Sequence, residues 1–126
     1  MRKFARLTAL ALVALTAGPA AAHHSTAAYF DVNSQITVEG TVEEFVFKAP
    51  HAVLKFMVTN KDGQEELWRG ETLPANLLFR KGWRYNMFEV GERITVTGMP
   101  AKDPERHALE VQKIVTEDGT VYSPFN

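Results

Sequence analysis

One stretch, Gln35 to His51 (QITVEGTVEEFVFKAPH), constrains the fold more than any other part of the chain. Ile36, Val38 and Val42 are apolar on one parity, with Gly40 between them. Alternation with period two marks a half-buried β-strand. At Glu43-Glu44 the phase breaks, and Phe45 and Phe47 take over on the other parity. A slip of one residue flips a strand's faces or marks a bulge. A long, bent first strand can serve two sheets at once, as a small closed barrel requires.

The following pattern supports that reading. Ala52 to Thr59 predicts a second strand, with Leu54, Phe56 and Val58 on one face. Asn60-Lys61-Asp62-Gly63 is a hairpin signal, and Gln64 to Glu71 predicts a third strand carrying Trp68. A short helix is expected from Pro74 to Lys81, with Thr72 as a cap and Leu73, Leu77 and Leu78 on one face. Gly82 is placed to end it, and Trp83 to plug the end of the core. Arg93 to Met99 and His107 to Thr116 read as the fourth and fifth strands, and Thr120 to Tyr122 as a last short extended piece. The expected core includes Val38, Val42, Leu54, Phe56, Leu77, Ile94, Val96 and Val111.

The order β-β-β-α-β-β, mainly β with one short helix, is that of a five-stranded Greek-key barrel of the OB-fold kind. Glycines at Gly40 and Gly98 would let strands bend at its corners. A β-sandwich is the alternative, and the single mid-chain helix counts against it.

The barrel is expected over residues 35–126, preceded by an arm over 23–34 and a leader over 1–22. Arg2, Lys3 and Arg6 precede an apolar run from Leu7 to Ala17, then Pro19 and Ala20-Ala21-Ala22. That is the build of a cleavable secretory signal peptide. The run is too short for a membrane anchor, which needs about 20 apolar residues. Cleavage after Ala22 would give an exported protein with no membrane span, periplasmic as the first expectation and fully secreted as the alternative. It would also remove three basic residues, leaving 11 basic against 15 acidic, a net charge of −4. An acidic domain is poorly suited to nucleic acid, which is bound by neutralising phosphates. Cysteine is absent, which excludes disulfides and thiolate metal sites.

Several pieces recur in order: His23-His24-Ser25, Phe30-Asp31, Gly40-Thr41-Val42, Pro50-His51, a Leu-Pro-Ala-Asn-Leu-Leu segment before Gly82-Trp83, and Val96 to Lys102 (VTGMPAK). Together they resemble a family of small exported bacterial proteins known only as a domain of unknown function. In that family the loop histidine usually follows Asn-Pro; here it follows Ala49-Pro50. The resemblance implies a small barrel and a periplasmic location. It brings no activity, ligand or cofactor.

The residues show no nucleophile elbow, no thiol and no glycine-rich phosphate loop, so no enzyme is expected. The four histidines, His23, His24, His51 and His107, are the unusual reagents, and all follow the leader. Two jobs compete for His51: a hydrogen bond that fixes the turn after Pro50, and a metal ligand. His107 and Trp68 are candidate ligand-binding residues: the loops of His51 and His107 flank the usual binding face of an OB-fold, against a solvated loop residue as the stronger reading for His107, and Trp68 offers an aromatic face on the third strand. Trp68, Trp83 and Phe79 could form a stacking platform, against a core role that is the stronger reading for Trp83.

The sharpest expectation is a metal site made by export. Cleavage would give His23 a free α-amine, which can chelate a metal together with its imidazole. His24 or His51 would add a third nitrogen. Nitrogen donors suit copper(II) best, then zinc or nickel. The competing expectation is a binding module for a peptide, an oligosaccharide or a partner protein of the cell envelope.

Overall fold

The computed structural model describes residues 26–126, so the leader and His23 and His24 lie outside the described residues. The elements, in chain order, are α1 (Thr26–Tyr29), β1 (Ile36–Val46), β2 (Val53–Thr59), β3 (Glu65–Glu71), α2 (Ala75–Arg80), β4 (Arg93–Pro100), β5 (Ala108–Thr116) and β6 (Val121–Tyr122).

β1 does serve two partners. Ile36 to Thr41 pairs antiparallel with β4, and Thr41 to Val46 pairs antiparallel with β2. The phase slip is a bulge between Val42 and Glu44. The sheet runs β3-β2-β1-β4-β5-β6, and a further parallel pairing joins β3 to β5. That pairing is short, from Arg69↔Ala108 to Glu71↔Glu110, and it closes a five-stranded, OB-fold-like barrel. β6 is an extra strand on the edge of β5.

Both expected corner glycines sit where strands crowd. A Cβ at Gly40 would lie 2.5 Å from the Met57 carbonyl oxygen and 2.8 Å from the Phe56 ring. A Cβ at Gly98 would collide with the Glu110 carbonyl, beside the register shift between Thr97 and Gly98. Only glycine allows backbones so close.

Val42, Leu54, Phe56, Ile94, Val96 and Val111 are buried as expected, and Val38 packs on them partly buried. Phe45, Trp83, Phe88 and Tyr122 form an aromatic cluster against this core, with ring centroids 5.1 to 6.3 Å apart. Trp83 is thus a core plug.

Two expectations about the helix need correction. Leu78, not Leu77, is the buried leucine of α2: Leu78 is 0% exposed and Leu77 39%. A helix of six residues makes under two turns, so its apolar spacing does not define a face. Thr72 is not its cap either. Pro74 occupies the N-cap position without a side-chain hydrogen bond. Thr72 instead extends the ladder, its amide donating to the Ala52 carbonyl at 3.0 Å. The C-terminal end is as expected, with Gly82 at φ +92° and its amide donating to the Phe79 carbonyl. Among the described residues no helix is long and apolar enough to cross a membrane.

Candidate functional site

The chain enters the barrel through a short arm that is bonded down. After the single turn of α1, the Phe30 ring is buried and its backbone forms a bridge with Ala101. The Asp31 amide donates to the Pro100 carbonyl and the Lys102 amide to the Tyr29 carbonyl, each at 2.9 Å. The Lys102 ammonium also donates to the Ala27 carbonyl. Asp31 then shapes the turn into β1. Its carboxylate accepts from the Ser34 hydroxyl at 2.6 Å and the Asn33 amide at 3.0 Å. These two bonds, Ser34 first, hold its pKa below the usual carboxylate value.

This arm forms one wall of a groove of about 510 Å³. Thr26, Tyr29 and Phe30 line it from the arm, Pro50 and His51 from the β1–β2 loop, and Glu71 to Pro74 from the end of β3. Arg106 and Glu110 line it from the β4–β5 loop and β5. The groove therefore joins an apolar wall to one guanidinium, two carboxylates and one imidazole. The Thr72 hydroxyl beside it is buried with no hydrogen-bond partner.

His51 is exposed, and its Nδ1 lies 3.1 Å from the Thr72 carbonyl oxygen. A carbonyl can only accept, so Nδ1 must carry the proton of this bond. The neutral ring then leaves the Nε2 lone pair free. The two jobs weighed for His51 are therefore compatible. Metal-ligating histidines commonly donate their second ring nitrogen to a carbonyl, which fixes both tautomer and orientation.

His107 and Trp68 come together at a different place. The imidazole stacks on the indole, with centroids 5.4 Å apart and planes 14° from parallel. His107 Nε2 is 3.7 Å from Glu66 Oε2. Glu66 also accepts from Asn60 Nδ2 at 2.8 Å and from Trp68 Nε1 at 3.3 Å. Those bonds, Asn60 first, lower the Glu66 pKa, and His107 adds to the effect. The His107 carbonyl accepts from the Arg69 amide at 2.9 Å, so this cluster sits on the β3–β5 seam. Trp83 is in the core, and the exposed Phe79 ring carries the Arg84 guanidinium 4.1 Å from its centroid. The three aromatics do not form one platform.

Sequence reasoning missed Glu71, Arg106 and Glu110 as groove residues. Their meeting depends on the parallel seam, which has no local sequence pattern. Among the described residues, no three His, Cys, Asp or Glu side chains are placed to hold a metal ion. A second hollow, of about 630 Å³, is wide open and lined by Glu89, Glu92, Glu117 and Asp118, with no histidine.

No curated protein matches the chain. The model of one protein family matches residues 10–112, which takes in β1 to β4, α2 and the groove. The chain belongs to that family, described as a family of unknown function (DUF6152).

Proposed function

We propose that this is an exported, non-enzymatic binding protein of the periplasm. It holds copper(II) through the N-terminus created by cleavage after Ala22, and the barrel contributes His51. The observation that carries this reading is that Thr26 and His51 line the same groove. Three peptide steps separate His23 from Thr26, about 10 Å of chain at full extension. The α-amine and imidazole of His23 titrate near pH 8 and 6.5 in unperturbed peptides, so a metal can displace both protons near neutral pH. The Nδ1 bond to Thr72 leaves His51 Nε2 as the third nitrogen. His24 is the other candidate for that position, and zinc and nickel are the next metals.

The test is copper(II) titration of three proteins: the mature form, a form with one extra residue before His23, and His51→Ala. The mature form should show binding that depends on His51, and the extended form should lose that dependence, because its His23 amine is tied up in a peptide bond. Equal binding by all three would overturn the proposal.

A second reading has its own support. The groove combines Tyr29, Phe30 and Leu73 with Arg106, which suits an envelope peptide or partner segment with an apolar body and an acidic group. Thermal-shift screening with and without chelator separates the two, since only the copper reading is sensitive to chelator.

A further inference from the structure

We infer that the groove beside His51 is the docking site of the chain's own mature N-terminus, His23-His24-Ser25, with Phe30 and Lys102 as the positioning residues. The inference rests on the cleavage after Ala22 proposed above. It does not need a metal to be present.

Three observations carry it. The first is continuity, since Thr26, the first described residue, already lines the groove. Three residues tethered there have a far higher local concentration than any free peptide could reach. The second is the latch. Phe30 is buried, its backbone bridges Ala101, and Lys102 bonds the arm through both its amide and its ammonium group. From Ala27 to Asp31 the backbone is therefore held beside the groove. The third is charge. A mature N-terminus carries a protonated amine near neutral pH, and Glu71 and Glu110 both line the groove. Neither carboxylate has an ion-pair partner within 4.0 Å among the described residues. Without metal, the amine would join the Arg106 guanidinium as a second cation facing these two carboxylates. With metal, the same placement would bring His23 to His51.

The test uses the His51 ring signals in NMR spectra of metal-free mature protein. Reference proteins are a truncated form that begins at Thr26, Phe30→Ala, Lys102→Met and Lys102→Arg. Methyl signals of Leu54 and Val96 report whether each variant keeps its core. Truncation should shift the His51 signals. Lys102→Met should move them part of the way to the truncated position, and Lys102→Arg, which keeps a donor, should move them less. Phe30→Ala should act like Lys102→Met if it remains folded, and Lys102→Met decides the matter if it does not. Identical His51 signals in the mature and truncated proteins would overturn the docking. Identical signals in the mature and Lys102→Met proteins would overturn the latch. Copper titration is the second arm, where Lys102→Met should weaken the His51-dependent binding by about tenfold through lost effective concentration. If the mature protein binds no copper yet the metal-free shifts occur, the docking stands and the copper reading fails. Binding of a free His-His-Ser peptide to the mature protein as tightly as to the truncated one would show an open groove and overturn the inference.

Discussion

Phe56 is the largest of the fully buried side chains, and its neighbours on both sides of the ladder depend on it. Gly40 has no side chain because the Phe56 ring and the Met57 carbonyl take that space. Removing the ring leaves a cavity that the closed sheet cannot collapse around. Phe56→Ala should therefore cost about 3–5 kcal/mol in a urea titration, and a loss below about 1 kcal/mol would place the ring outside the core. A polar residue at the surface gives a second test. Asp118 accepts from the Thr116 hydroxyl at 2.6 Å and the Thr120 amide at 2.9 Å. The Thr116 bond, then the Thr120 bond, bring its pKa from 3.8 down to about 2. A carboxylate with a depressed folded pKa stabilises the fold above its unfolded value and loses that contribution as the pH falls. For Asp118 the contribution is complete above pH 3.8 and fades towards pH 2. Asp118→Asn should flatten that part of the stability–pH curve, and curves that stay parallel there would show the bonds are not formed in solution.

Among the elements, α2 offers the cleanest comparison because adjacent leucines have opposite fates. Leu78→Ala should cost about 2–5 kcal/mol, as for a fully buried leucine, whereas Leu77→Ala should stay within about 0.5 kcal/mol. Similar losses at both positions in thermal or urea unfolding would contradict this facing. The strands were legible in the sequence because period two repeats over seven to eleven residues, and the slip at Glu43-Glu44 marked the bulge correctly. The facing of α2 was not legible. Leu73, its expected i, i+4 partner, precedes the helix, so the spacing Leu73–Leu77 had no helical meaning. Phe88, buried in the loop before β4, had no periodicity to reveal it. His107 and Trp68 were each singled out by residue type, but their stacking comes from a three-residue parallel seam between distant segments. Register between strands so far apart in sequence leaves no local signal.

At the scale of the whole molecule, the barrel and the arm divide the work. The barrel is closed by β3 and β5, and that closure brings Glu71, Arg106 and Glu110 to one groove. The arm joins two motifs that stand some 70 residues apart, Phe30-Asp31 and the Val96–Lys102 segment, at the Phe30–Ala101 bridge. The bond from Asp31 to Pro100 and the two from Lys102 tie both motifs together and hold the arm against the barrel beside the groove. The central proposal is that export frees the His23 amine for copper(II). The most direct measurement is pulsed EPR on mature protein loaded with less than one equivalent of copper(II), compared with His51→Ala. The expected result is remote-nitrogen coupling from more than one imidazole, with one contribution absent in His51→Ala. Spectra that are the same for the two proteins would contradict it.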